Sequence, residues 1–217
     1  MEVVKPIIVK PSDLSKNISE ISEKVIYAMM NSDEIDILGL DSAIFLACSA
    51  VNLATDIANA HINDICINYI EVPVFGRIEA VCITLGKKAK IDHERKIQEE
   101  EKDMILSLAR EGQVIGVRRN ANLGQLVTLC LLKLSKVNKL KIIASAGAIN
   151  DAVSLALQLS NGTIAKYPIG ISYMNLHTIT AREDERKKIT ALSIYLDKGQ
   201  KTKYSKRHLD LLNKAIK

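Results

Sequence analysis

The sequence predicts an α+β protein in which one six-element unit, β-α-β-α-β-β, is written twice, each copy a four-stranded mixed sheet with two helices. Three observations carry this. Ala43-Ile44 followed by Ala47 recurs as Ala148-Ile149 followed by Ala152, at an offset of 105 residues. Each match opens a run that is apolar at i, i+3, i+4 and i+7: Ile44, Ala47, Cys48 and Val51, then Ile149, Ala152, Val153 and Ala156, which is one buried helix face twice over. Short β-like runs flank both helices in the same order.

The first strand falls at residues 6–9 and again at 114–117. An amphipathic helix follows in each copy, with Ile18, Ile21, Val25 and Ala28 in the first and Leu123, Leu126, Val127, Cys130, Leu131 and Leu134 in the second. Ile35 to Leu38 and Leu140 to Ile143 then read as strands leading into the matched helices. After these come Ile67-Asn68-Tyr69-Ile70-Glu71-Val72 and Ile171-Ser172-Tyr173-Met174-Asn175-Leu176, whose alternation places Tyr69 opposite Tyr173. Each copy closes on a strand, Ile78 to Leu85 and Ile189 to Leu196. The expected organisation is an acidic domain at residues 1–88, a charged helical linker at 89–112, a basic domain at 113–200 and a basic tail at 201–217. The tail is either a cap on the second domain or a mobile arm.

At 217 residues, 47% hydrophobic and 25% charged, the chain reads as globular rather than disordered. The longest nearly unbroken apolar stretch, Ala43 to Val51, is well short of the ~18 residues of a membrane span, and the start does not resemble a signal peptide. Cys48, Cys66, Cys82 and Cys130 stand singly among apolar neighbours, without metal-ligand spacing. They read as reduced core residues of a cytoplasmic protein, with no metal and no cofactor expected. His61, His93, His177 and His208 are scattered, and neither a phosphate-binding glycine motif nor a nucleophile elbow is present, so no catalysis is expected.

The net charge of +5 hides a reversal of sign. Residues 1–88 hold 7 Lys/Arg against 12 Asp/Glu, whereas residues 113–200 hold 12 against 5. One half repels a polyanion and the other attracts it. Two loops sharpen the contrast. Between the first strand and first helix the second copy has Arg118-Arg119-Asn120-Ala121-Asn122, with Asn120 or Asn122 as N-cap. Guanidiniums beside a helix N-terminus make a seat for phosphate. The first copy has Lys10-Pro11-Ser12-Asp13, where Ser12 or Asp13 is expected to cap and the carboxylate offsets Lys10. The closing hairpin also differs. Taking Val72 to Ile83 against Leu176 to Ile194, the second copy is longer by 7 residues. Its tip holds Arg182, Arg186, Lys187 and Lys188, which suits a contact role, against the alternative of a solvated loop that protects an edge.

A strand entering a basic turn, a second strand running into an Ala-Ile-x-x-Ala helix, and a closing hairpin together resemble the Alba family of archaeal chromatin and RNA-associated proteins, over residues 5–88 and 113–199. The resemblance implies a small α+β domain that acts as a dimer, a basic turn on the nucleic-acid backbone, and two hairpin arms along the minor groove. It places the family's turn lysines at Arg118 and Arg119, and at Lys10 in the first copy, which alone keeps an acetylatable side chain. It places the basic arm at Arg182, Arg186, Lys187 and Lys188. The family's Arg-Gly-Arg before the second helix is replaced by Leu40-Asp41-Ser42 and by Ser145-Ala146-Gly147.

The expected function is therefore sequence-independent binding of DNA or RNA through phosphates, in the cytoplasm or on the nucleoid. The acidic domain is expected to pair with the basic one, within the chain or between chains in a homo-oligomer. The alternative is a protein-interaction module without nucleic-acid binding. With 6 Tyr and 2 Phe in the chain, an aromatic base-stacking platform is not expected.

Overall fold

A computed structural model describes residues 5–72, 76–87, 113–161, 165–180, 188–202 and 210–211. The expected linker helix, the hairpin tip and most of the tail lie outside the described residues. The rest is α+β, with two four-stranded mixed sheets and four helices. The chain divides into two compact units whose boundary falls between Lys90 and Ile91, and residues 210–211 belong with the first.

In the first unit, β1 (Ile7–Val9), α1 (Ile18–Asn31), β2 (Glu34–Leu40), α2 (Ile44–Ala58), β3 (His61–Val72) and β4 (Gly76–Gly86) follow in that order. The sheet order is β1-β2-β4-β3, with β1 parallel to β2 and the other neighbours antiparallel. Both crossovers, β1 to β2 and β2 to β3, step in the same direction across the sheet. Right-handed connection therefore puts α1 and α2 on one face. Val25 on α1, Ile44 and Ala47 on α2, and Ile37 and Ile83 on the sheet are fully buried there. With its preceding turn, α2 forms an apolar segment, Asp41–Ala58, that is long and apolar enough to cross a membrane, the one such helix among the described residues; half of it is buried in the structure.

The second unit repeats the plan: β5 (Val114–Val117), α3 (Leu123–Lys136), β6 (Lys139–Ser145), α4 (Ile149–Ser160), β7 (Ile169–Thr180) and β8 (Lys188–Lys198), in sheet order β5-β6-β8-β7. Leu140, Ile142 and Ala144 on β6 are buried beside Leu134, Ile149 and Leu155 of the helices. By the two-residue alternation of a strand, Lys139, Lys141 and Ile143 take the other face.

The repeat extends to backbone strain. Asp41 and Ala146, 105 residues apart, both have φ of 49°, and each opens a 3₁₀ turn that feeds the matched helix. Asp tolerates this left-handed region by bonding locally, whereas Ala has no such recourse. One packing difference stands beside it. A Cβ on Gly39 would lie 2.6 Å from the Ala47 Cβ and 3.2 Å from the Ile44 Cα, so α2 rests directly on bare backbone. At the equivalent place the second unit has Ala144.

Register corrects two expectations. Tyr69 pairs Glu79, while Tyr173 pairs Tyr195 in the row that Asp64 occupies in the first unit, so the two tyrosines are not equivalent. The extra length of the second copy is also divided differently. β2 last pairs β4 at Leu40/Ala80, and β6 last pairs β8 at Ser145/Ala191. Beyond those rows the hairpins run through residues 69–79 and 178–190, a difference of two rather than seven. Most of the remaining length lies in the connection between α4 and β7, residues 161–168, against 59–60 between α2 and β3.

All four cysteines are buried, and none forms a disulfide. Burial pushes the Cys48 and Cys130 thiols up to about 12. Cys82 is also raised, first by a hydrogen bond to Cys66, its cross-strand neighbour, and then by burial. Thiols held protonated in this way are poor nucleophiles.

Candidate nucleic-acid interface

β5, β6 and β7 run in one direction, so their C-terminal ends share one end of the second sheet. Three features meet there. The turn Arg118 to Asn122 leaves β5, the strained 3₁₀ turn Ala146–Ala148 leaves β6, and the β7–β8 ribbon runs on without β6 through Thr178/Thr190, Ile179/Ile189 and Thr180/Lys188. Three residue pairs carry it roughly 10 Å past the third strand.

The basic turn is a built structure. Ala121 donates its N–H to the Arg118 carbonyl at 3.1 Å, and Asn120 takes φ of 60°, a conformation asparagine accepts more readily than most residues. Asn122 is the N-cap of α3, its Oδ1 accepting from the Gln125 N–H at 3.1 Å. Of the two expected candidates, Asn122 caps and Asn120 turns the chain. Arg118, Arg119, Asn120 and Asn122 are all exposed. Arg119 lies along the neighbouring turn: a Cβ on Gly147 would sit 3.4 Å from its Cδ and 3.5 Å from its Nε. The missing Arg-Gly-Arg patch is thus partly filled by a guanidinium from the adjacent loop.

Sequence reasoning missed Asp151. Its Oδ2 accepts the Asn120 N–H at 3.1 Å, which fixes the turn and sets a carboxylate within the basic cluster. Its place in the first turn of α4 is a normal acidic helix-start position, and that was the signal available. Asp151 reduces the local positive potential without cancelling two guanidiniums.

Lys188 is exposed at the start of β8, opposite Thr180. Arg182, Arg186 and Lys187 lie outside the described residues. Lys201 is at the far end of the sheet. The chain after β8 folds back on the start of β7, where the Thr202 hydroxyl accepts the Ile171 N–H at 2.9 Å and a Cβ on Gly170 would lie 2.8 Å from the Lys201 backbone. Lys201 therefore stands apart from the Arg118–Asn122 turn.

The equivalent end of the first unit is arranged differently. A 3₁₀ helix, Pro11–Ser15, intervenes before α1, and Asn17 caps α1 by accepting the Ser19 N–H at 3.3 Å. The expected caps Ser12 and Asp13 belong instead to the 3₁₀ turn. Asp13 accepts the Lys10 N–H at 2.9 Å and pairs with Lys16. These two contacts hold its carboxyl below its usual range, the Lys10 amide contributing most. The carboxylate is committed to the Lys10 backbone and to Lys16, and Lys10 is exposed.

Among the described residues, no three His, Cys, Asp or Glu side chains cluster to hold a metal. Comparison with protein-family models and with curated proteins finds no match to this chain.

Proposed function

We propose that this chain is a tandem duplication of an Alba-type domain in which the second unit binds DNA or RNA by its phosphates and the first serves for pairing. What carries the reading is convergence: the exposed Arg118 and Arg119, the capped start of α3 and the projecting β7–β8 ribbon share one end of one sheet. Guanidinium forks, free amides of a helix start and a two-stranded arm suit a sugar-phosphate backbone followed over several nucleotides. The first unit has Lys10 and Lys16 at that end, both beside the Asp13 carboxylate that binds the Lys10 amide and the Lys16 ammonium, and so grips weakly.

Binding of this kind is electrostatic and sequence-independent. Its log affinity falls with log salt by ~0.9 per phosphate neutralised on duplex DNA and ~0.7 on single strands. Gel-shift titrations of the full chain with duplex DNA and with structured RNA, at two salt concentrations, test it. Retardation of either polymer without sequence preference and with steep salt dependence is expected. No shift at low salt would overturn the reading and favour a protein-interaction module without nucleic-acid binding.

A further inference from the structure

Cys66 and Cys82 stand directly opposite each other on the β3–β4 ladder of the first unit. Ile83 is buried against the helices, so by strand alternation Cys82 faces the other side of the sheet, and Cys66 with it. Cys48 belongs to α2 and so to the helix layer. Directly paired residues of an antiparallel ladder have Cα atoms about 4.5–5.5 Å apart, inside the roughly 4.4–6.8 Å that a disulfide spans. The two side chains already meet. A hydrogen bond between the thiols is the leading cause of the raised Cys82 thiol, and Asp36 and Asp64 add to it.

The second unit has other chemistry at this place. Leu38 and Ile143, 105 residues apart, have Cys82 and Ser193 as their neighbours on β4 and β8. Across the next ladder these pair with Cys66 and Asn175. The juxtaposed thiols therefore belong to the first unit alone.

We propose that Cys66 and Cys82 are a two-electron redox site, which closes to a cross-strand disulfide by exchange with a low-molecular-weight disulfide of the glutathione type. Cys66 attacks as its thiolate and one glutathione leaves, taking up the proton; Cys82 then displaces the second glutathione from the mixed disulfide in the same way. One S–S bond is broken in the oxidant and one is formed between the strands. Two protein thiols are oxidised, the small disulfide is reduced to two thiols, and both protons end on those. Because β3 is an edge strand, Cys66 is reached by opening a single ladder. Thiols held protonated attack slowly and leave slowly, so the bond is slow to form and slow to reverse. In a reducing compartment the pair stays as thiols, and it closes as the poise becomes oxidising. Closure ties the edge strand to β4 below the hairpin of residues 69–79. This site does not rest on the preceding reading.

The full chain, reduced and freed of reductant, tests the proposal by incubation with oxidised glutathione until the product no longer changes, followed by alkylation in strong urea. The four free thiols should become two. The intact mass should fall by two hydrogens, and a non-reducing digest should contain one crosslinked peptide joining Cys66 to Cys82. The urea midpoint should rise on closure, because the bond restricts the unfolded chain, and dithiothreitol should return it to the parent value. A second incubation in urea just below the midpoint makes the buried thiols reachable. Four free thiols at the end of both incubations, a glutathione adduct that persists, a crosslink through Cys48 or Cys130, or a lowered midpoint after closure would each overturn the proposal. No nucleic acid is present, so these outcomes are independent of the gel-shift result.

Discussion

The two units share element order, sheet order, an Asn-capped first helix and a left-handed residue at the same turn, yet at the C-terminal ends of their parallel strands they differ in nearly everything. The first ends in a 3₁₀ helix whose Asp13 is spent on Lys10 and Lys16. The second ends in two exposed arginines on a turn fixed by Asp151, which accepts the Asn120 N–H, and by Asn122, which caps the helix that follows. A duplicated scaffold keeps what packs and changes what meets a partner, because the core tolerates few substitutions and the loop ends tolerate many.

Packing offers the largest test of the comparison. Gly39→Ala places a methyl against Ala47 and the Ile44 backbone, so an overpacking loss of about 1–3 kcal/mol is expected. The reciprocal Ala144→Gly should cost closer to ~1 kcal/mol, mainly through backbone entropy. Equal costs in urea titrations would mean that α2 and α4 seat alike. The strained turns come next. Ala146→Gly should stabilise by roughly 1 kcal/mol, the order of the left-handed penalty for a residue with a Cβ, while Asp41→Gly should gain less. A loss at Ala146→Gly would show that the methyl packs usefully.

The smallest effect concerns Asp13. Its carboxyl is depressed in the folded protein, so its contribution to stability is present above the ordinary carboxylate pKa and is lost as pH falls through the lower folded value. Asp13→Asn should therefore narrow its deficit below about pH 4, a difference of a fraction of a kcal/mol at a site beside solvent whose Lys16 partner is exposed. A deficit that is constant from pH 7 to pH 3 would refute the assignment.

The plan of the fold was legible because helix periodicity and strand alternation are local. The offset of 105, set by Ala43-Ile44 and Ala148-Ile149, placed both helices and the middle strand of each unit, while the strands around them sit at other offsets and β3 begins at His61, six residues before the expected start. Register was not legible. A shared Tyr drew residues 69 and 173 together, although hydrogen bonding sets them five rows apart. That slip moved the extra length from the α4–β7 connection into the hairpin. The N-cap of α1 was missed because Asp13 has the right chemistry four residues early, and only the backbone shows that Asn17 does the work. In the basic turn, Arg118 to Asn122 was found by charge and capping chemistry, whereas Asp151 comes from 31 residues further along, a contact that tertiary structure alone makes.

The most direct measurement is the salt dependence of duplex DNA affinity for three full-length proteins: the parent, Arg118→Ala/Arg119→Ala, and Lys10→Ala. Loss of two phosphate contacts should weaken binding at low salt and flatten the log–log slope of the double variant by about 1.8, while Lys10→Ala stays close to the parent. A double variant with the parent's slope, or a Lys10→Ala variant that loses as much, would contradict the assignment of the grip to the second unit.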